Sequence, residues 1–156
     1  MQPSRFDELS FFRALHRSRA RALLIGRRAL VLLGLPVLTA DYDFWLAIDD
    51  IAIFNTVGEQ FDLRPTRTPN DARERGRYVL ENDEHIDVLV ARALSTIDGA
   101  VVDFDTLWAH RQAVALGDVE VTLPSIDDLI LTKQVSTRPQ DLEDVRLLRI
   151  LKEQRS

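Results

Sequence analysis

Three aspartates are the residues of this sequence whose type and spacing most strongly suggest chemistry. Asp41 and Asp43 lie two residues apart at the start of a segment rich in aromatic and aliphatic residues, the composition of a β-strand. Side chains alternate along a strand, so both carboxylates are expected on one face. Like charges this close repel each other unless a cation lies between them, and Mg²⁺ binds one or two carboxylates together with water and phosphate oxygens. The pair therefore indicates a Mg²⁺ site.

Asp87 is the third of these carboxylates, and it lies in another predicted strand between the apolar Ile86 and Val88. If the two strands are neighbours in a sheet, all three carboxylates meet on one face. A purely structural interpretation is also open. In it Asp41 ends a turn, Asp43 lies on a solvated face and Asp87 pairs with an arginine.

Gly26 stands between a predicted strand and a predicted helix. Such a junction exposes backbone N–H groups that can hold a phosphate. Glycine in a turn can equally serve backbone geometry alone.

Several classes of chemistry are excluded by the residues present. The sequence contains no cysteine, which excludes thiolate zinc sites, iron–sulfur clusters, disulfides and a cysteine nucleophile. It contains no P-loop, no G-x-S-x-G motif and no H-E-x-x-H motif, and its three histidines are scattered: His16, His85 and His110.

Charge and hydropathy describe an ordinary globular chain of 156 residues. The net charge of −5 argues against a surface built to coat nucleic acid, although a local basic patch stays open. The longest apolar run, Ala29 to Leu38, is too short to cross a membrane and contains Gly34 and Pro36. We expect a cytoplasmic protein without a membrane segment.

Helices and strands must position these residues, and their order predicts an α+β fold: a small mixed sheet flanked by helices, with a helical C-terminus. We expect one domain, 1–156, with an N-terminal helix in 1–18, a sheet-containing core in 19–123 and C-terminal helices in 124–156. The predicted helices are Arg5–His16 (capped by Ser4), Arg27–Leu33, Ile51–Glu59, Asp103–His110, a helix from Ser125 to Val135, and Arg138–Glu153 (capped by Thr137). The predicted strands are Ala20–Ile25, Tyr42–Ile48, Phe61–Arg64, Arg77–Glu81, His85–Ala91, Ala113–Leu116 and Val119–Leu123. The polar segment Asn70–Gly76 is predicted to be a loop, and Leu142, Val145, Leu148 and Leu151 are predicted to line the core side of the last helix.

The order of these features resembles the nucleotidyltransferase fold of the DNA polymerase beta superfamily, in particular the bacterial minimal and abortive-infection-type members. The segment LIGRRALVLLGLPVLTADYDFWL matches the family signature at Gly26, Ala29, Gly34, Pro36, Thr39, Asp41 and Asp43. Asp87 matches the third family carboxylate, and the segment LPSIDDLILTKQVSTRPQDLEDVRLL resembles the C-terminal helices through Lys133, Arg138, Asp141 and Asp144. Three positions depart from the family pattern: Arg27 replaces a small residue, Leu33 a histidine and Val37 an arginine.

The resemblance implies an activity and a set of site residues. The chain would be a nucleotidyltransferase that uses Mg²⁺ or Mn²⁺ to move a nucleoside monophosphate from a nucleoside triphosphate to a hydroxyl of a protein, RNA or small molecule. Asp41, Asp43 and Asp87 would be the catalytic and metal-binding residues. The nucleotide would contact Gly26, Arg27, Thr39 and Lys133.

Two of these residues carry open alternatives. Arg27 either contacts the triphosphate, or bridges Asp41 or Asp43 in place of the metal, or is a solvated residue at a helix start. Lys133 ends an apolar helical stripe, so it either extends to solvent or reaches the triphosphate. The departures also leave open a degenerate protein without catalysis, acting as a nucleotide-binding module or as one protein of a toxin–antitoxin pair.

Overall fold

Helices and strands alternate along the chain in the computed structural model, which describes residues 6–155. The helices are α1 (Glu8–Ser18), α2 (Gly26–Leu32), α3 (Ile51–Glu59), α4 (Pro69–Arg75), α5 (Phe104–Ala109), α6 (Ile126–Lys133) and α7 (Pro139–Arg155), with a 3₁₀ turn at Ile48–Asp50. The strands are β1 (Ala22–Ile25), β2 (Tyr42–Leu46), β3 (Arg64–Pro65), β4 (Arg77–Glu81), β5 (His85–Leu89), β6 (Ala93–Ser95), β7 (Val101–Asp103), β8 (Gln112–Leu116) and β9 (Val119–Leu123). Within these residues, no helix is both long and apolar enough to cross a membrane.

A five-stranded mixed sheet organises the molecule, in the order β1-β2-β5-β4-β3. Strands β2 and β5 are parallel, whereas the other neighbouring pairs are antiparallel. Two separate hairpins, β6–β7 and β8–β9, complete the strands. The predicted α+β class, with helices around a mixed sheet and a helical C-terminus, is confirmed.

Both faces of the sheet are covered by apolar side chains. On one face Phe44 packs against Phe11 of α1 and Phe54 of α3, with ring centroids 6.0 and 5.3 Å away. On the other face the buried Trp45 packs against Phe104 of α5, and its indole N–H donates to the Ala91 carbonyl at 2.8 Å. Asp43 alternates with Phe44 and therefore belongs to the Trp45 face.

The segment predicted as a loop at Asn70–Gly76 is helix α4, so that prediction was wrong. Thr68 caps the helix by accepting a hydrogen bond from the Asp71 N–H, Pro69 occupies the first turn, and Gly76 ends it with φ of +78°. These are regular start and stop signals, but the helix buries only Ala72, and its polar composition therefore resembles that of a loop.

Two further differences concern segments that border the core. The hairpin β6–β7 was not predicted, because its strands are only three residues long. Leu142 was wrongly predicted to face the core and is 60% exposed, while Asp141 and Asp144 of the same helix are buried. The other three predicted core residues are confirmed, since Val145 and Leu148 are buried and Leu151 packs against the core. Ion pairs, described below, compensate the two buried carboxylates.

The remaining differences are shifts of element ends. Helix α1 is capped by Asp7, which accepts from the Ser10 N–H, and the predicted cap Ser4 lies outside the described residues. At the start of α7 the Ser136 hydroxyl accepts a hydrogen bond from the Arg138 N–H, and among residues 6–155 no helix N–H donates to the predicted cap Thr137. The predicted strand Phe61–Arg64 is the shorter and later Arg64–Pro65, because the chain turns through Asp62 at φ +59°.

Candidate active site

Asp43 and Asp87 are directly opposed partners in the parallel pairing of β2 with β5. Residues opposed in this way present their side chains on the same face of the sheet. Asp41 immediately precedes β2, and all three aspartates line one cleft of about 620 Å³ between the sheet and helices α6 and α7. The structure thus brings the three predicted site residues together.

The electrostatics of Asp43 reflect this crowding. Burial, together with the charge of Asp87, raises the pKa of Asp43 to about 6, Asp41 adds to the shift, and the nearby Lys133 opposes it. A hydrogen bond between the Asp43 and Asp87 carboxyl groups contributes in the same direction. A bound cation would relieve the repulsion that produces much of this shift.

Gly26 lies against Asp43 and leaves room for its carboxylate. A Cβ atom at this position would be 2.5 Å from the Asp43 Oδ2, and the glycine has φ of +70°. Both facts require glycine here, since other residues rarely adopt this conformation. Gly26 therefore places open backbone directly beside a carboxylate of the cleft.

Thr39 shapes the approach to Asp41. Its hydroxyl accepts a hydrogen bond from the Asp41 N–H at 3.1 Å, and its carbonyl accepts one from Arg28 at 3.0 Å. Arg27 donates to the Leu38 carbonyl at 3.4 Å. The segment before Asp41 is thus tied to both arginines of α2.

The main partner of Arg27 is Asp144 of α7, although its side chain also lines the cleft. Its Nη2 lies 3.2 Å from Asp144 Oδ1, and Asp144 is fully buried. No ion pair joins Arg27 to Asp41 or Asp43 in residues 6–155. Neither the bridging nor the solvated alternative for Arg27 describes this position.

Lys133 is buried, with 8% of its side chain exposed, and does not extend to solvent. Its Nζ lies 2.8 Å from Asp144 Oδ2 and 3.7 Å from Asp141 Oδ1. Asp141 also pairs with Arg138 at 2.8 Å. Together with Arg27, these residues form an alternating ionic network that joins α2, α6 and α7.

Opposing effects determine the protonation of Asp141. Burial alone would raise its pKa, but the hydrogen bond from Arg138 and the charge of Lys133 outweigh burial and hold the pKa below its usual value. The Asp141 carboxylate is therefore ionised at neutral pH. The sequence feature that indicates the ionic network is the pair Asp141 and Asp144, three residues apart on α7. These residues lie on the same side of the helix as the apolar Val145 and Leu148.

Arg67 and Arg77 line the opposite side of the cleft and were not among the predicted site residues. On β4, Val79 is paired with Asp87, and Arg77 is two residues before it, so Arg77 points to the same face. Arg67 donates to the Arg77 carbonyl at 2.6 Å. Their role depends on strand pairing, which the local sequence does not specify.

The donor set of the cleft suits a hard divalent cation. The three aspartates supply oxygen ligands only, as Mg²⁺ and Mn²⁺ prefer. In the described part of the chain, no group of three or more His, Cys, Asp or Glu residues is placed so that it could hold a metal ion by itself. Mg²⁺ needs only one or two carboxylates when water and substrate phosphates fill its other positions, so the Asp43–Asp87 pair fits it.

Comparisons of sequence identify no relative: no protein-family model matches the chain, and no curated protein matches it. Comparisons of structure do. A Thermotoga maritima protein, TM1012, proposed to be a nucleotidyltransferase, matches with a TM-score of 0.62 and 16% identity over 93% of this chain and 90% of its own.

Two antibiotic-modifying proteins match as well. ANT(2″)-Ia, in complex with adenylyl-2″-tobramycin, has a TM-score of 0.63 and 15% identity over 94% of this chain and 92% of its own. The lincosamide adenylyltransferase LnuA, with lincomycin bound, has a TM-score of 0.62 and 14% identity over 94% of this chain and 99% of its own. These likenesses establish the fold class, and they confirm the resemblance found in the sequence.

Proposed function

We propose that this chain, which has the nucleotidyltransferase fold, is a metal-dependent enzyme that moves a nucleoside monophosphate from a nucleoside triphosphate to a hydroxyl acceptor. The observation that carries the proposal is the in-register pair Asp43 and Asp87, joined by Asp41 in an open cleft. Keeping three carboxylates together without a ligand is unfavourable. Two of the similar structures, ANT(2″)-Ia and LnuA, contain an adenylylated antibiotic and a bound antibiotic, respectively.

Each residue has a role that its position supports. Asp43 and Asp87, with Asp41 beside them, would hold Mg²⁺ or Mn²⁺ together with the triphosphate, and the metal would offset the negative charge that develops on the phosphate oxygens. Asp87 is half-exposed and can accept the proton of the acceptor hydroxyl. Gly26 lets phosphate oxygens approach the backbone, and Thr39 orients Asp41.

Lys133 and Arg27 act on this site from the ionic network. Lys133 is close enough to lower the pKa of Asp43, so it favours the ionised form that binds a cation. Arg27 fixes α2, which begins at Gly26, against α7. Because Asp144 holds Arg27, the long side chain that departs from the family pattern is bonded to α7 and forms no ion pair with Asp43 in residues 6–155.

Calorimetric titration with a non-hydrolysable nucleoside triphosphate tests the proposal. We expect binding that requires Mg²⁺ in the wild type and is at least about tenfold weaker in Asp43→Asn, the loss of one charged ligand. Asp49→Asn, at an exposed position of the 3₁₀ turn, is the matched control and should bind as the wild type does. Equal binding by wild type and Asp43→Asn would contradict the proposal.

Pyrophosphate release separates catalysis from binding alone. The active enzyme should release pyrophosphate when Mg²⁺, nucleoside triphosphate and a suitable hydroxyl compound are present together. Metal-dependent binding without pyrophosphate release from any acceptor would instead support the degenerate, nucleotide-binding alternative.

A further inference from the structure

Among residues 6–155, five cationic side chains line the cleft, and they differ in whether they have acidic partners. Arg27, Lys133 and Arg138 are paired with Asp141 or Asp144. Arg67 and Arg77, on the β4 side, form no ion pair with any carboxylate in residues 6–155. Two unpaired arginines beside an acidic site call for an explanation, since guanidinium groups bind carboxylate and phosphate oxygens strongly.

The arrangement of the strands indicates which substrate these arginines face. Gly26 and α2 lie on the β1 side of the Asp43–Asp87 pair, and β4 lies on the other side. In-line displacement requires the attacking and leaving oxygens to be on opposite sides of the phosphorus. If the triphosphate lies beside Gly26, the acceptor hydroxyl approaches across Asp87 from the β4 side.

We infer that the acceptor is a hydroxyl compound carrying a phosphate monoester, which Arg67 and Arg77 bind on the β4 side of the cleft; the inference rests on the proposed function. A phosphate monoester has a charge of about −1.5 to −2 at pH 7, and this charge matches two cations better than the single charge of a carboxylate does. A cationic acceptor would be repelled by both arginines, and a neutral one would leave them unpaired.

Arg67 is positioned for such a role before any ligand binds. One of its N–H groups donates to the Arg77 carbonyl, which fixes the side chain and leaves other donors of the guanidinium available. The neighbouring Thr66 also lines the cleft, and its backbone N–H donates to the Val79 carbonyl at 2.9 Å. The binding surface is therefore anchored to the strand that pairs with Asp87.

The test is a nuclear magnetic resonance titration of the full chain with ribose 5-phosphate and with ribose, which differ only in the phosphate. We expect ribose 5-phosphate to bind at least about tenfold more tightly and to shift amides of β4 and of residues 64–68. Arg67→Gln and Arg77→Gln should each weaken this binding about fivefold or more. Arg75→Gln, an exposed arginine of α4 outside the cleft lining, removes the same charge and should change it less than about twofold.

Three results would overturn the inference. The first is that ribose 5-phosphate binds no more tightly than ribose, or no more tightly than the carboxylate sugar gluconate. The second is that Arg75→Gln weakens binding of ribose 5-phosphate as much as Arg77→Gln does, which would show only a general charge effect. The third is that both cleft variants, Arg67→Gln and Arg77→Gln, weaken Mg²⁺-dependent binding of the nucleoside triphosphate as much as binding of ribose 5-phosphate. That result would assign the arginines to the nucleotide.

The failures of the two proposals are distinguishable. Absence of Mg²⁺-dependent nucleotide binding in the wild type rejects the proposed function, whatever ribose 5-phosphate does. Equal affinity for ribose and ribose 5-phosphate rejects the phosphate-bearing acceptor, whatever the nucleotide does.

Discussion

Gly26 shows most directly how one residue position supports the proposed site. We expect Gly26→Ala to destabilise the fold by more than the roughly 1–2 kcal/mol that a left-handed backbone costs, because its Cβ would also displace the Asp43 carboxylate. Gly34→Ala is the matched control, since Gly34 has φ of +87° but no atom within 4 Å of the added Cβ. Denaturant unfolding and Mg²⁺-dependent nucleotide binding measure the two effects.

The two alanine variants are expected to differ in nucleotide binding. Gly34→Ala should lose stability and keep nucleotide binding, whereas Gly26→Ala should lose both. If the two variants bind nucleotide equally well, the contact between Gly26 and Asp43 is irrelevant to the site.

The raised pKa of Asp43 makes the stability of the metal-free protein depend on pH. A carboxyl whose pKa is about 6 when folded and 3.8 when unfolded binds its proton more tightly in the folded state. Its stabilising contribution is therefore fully present below pH 3.8 and is lost as the pH rises through about 6. In EDTA, we expect the free energy of unfolding to fall by on the order of 2–3 kcal/mol from this group between about pH 4 and pH 7.

Asp43→Asn is the control for this pH dependence, because the amide does not titrate. Urea unfolding at a series of pH values should give a flatter profile for the variant than for the wild type. The lowered pKa of Asp141 contributes stability that is present above its usual value of 3.8 and is lost only as the pH falls below it, so this group does not produce the fall expected toward pH 7. Parallel profiles for wild type and variant would contradict the expectation.

The sequence predicts some residues of the cleft better than others. Asp41, Asp43 and Asp87 can be grouped from the sequence because strand alternation and apolar neighbours are local patterns. The partner of Arg27 is not local, since Asp144 lies on the last helix. Arg67 and Arg77 reach the cleft only through the pairing of β4 with β5, which no local pattern specifies.

The ionic network is the contact that joins the C-terminal helices to the site. We expect Asp144→Ala to destabilise the protein by about 3–5 kcal/mol, because it leaves Lys133 and Arg27 without their shared partner in a buried position. Glu143→Ala is the matched control on the same helix, since Glu143 is exposed and its ion pair is with Arg146 rather than with Lys133 or Arg27. It should leave the unfolding transition essentially unchanged.

A double variant tests whether the loss comes from an unpaired buried charge. Lys133→Met combined with Asp144→Leu should be more stable than Asp144→Ala, because the buried Lys133 charge is removed with its partner and only the less buried Arg27 is left without one. Equilibrium denaturation of the variants provides the comparison. An Asp144→Ala protein as stable as the wild type would show that the network contributes nothing to the packing of α7.

Elements with a strong apolar period are predicted from the sequence, whereas elements without one are not. Strands β2, β4 and β5 have alternating or apolar side chains and lie close to their predicted bounds. Helix α4 has a single buried residue, so only its cap residues distinguish it from a loop. The wrong orientation of Leu142 has a different cause, because α7 buries Asp141 and Asp144 together with the apolar Val145 and Leu148.

Across the whole molecule, charge is distributed by layer. The carboxylates of the proposed metal site lie on the sheet, the cations that pair with Asp141 and Asp144 lie on the helical side, and the arginines without an ion pair in residues 6–155 lie on the β4 side. The net charge of −5 is a sum over the chain and does not show where these charges lie. Composition therefore describes the average surface, and the cleft can be understood only from the three-dimensional placement of each charge.

The parallel pairing of β2 with β5 also determines when the site appears during folding. Helices α3 and α4 and strands β3 and β4 lie between these strands in the chain, so their pairing closes a long loop against chain entropy. We expect the two carboxylates to meet after the rate-limiting step, so that Mg²⁺ slows unfolding without accelerating refolding. Stopped-flow kinetics with and without Mg²⁺ can measure both rates, and faster refolding in Mg²⁺ would show instead that the pair is already formed in the transition state.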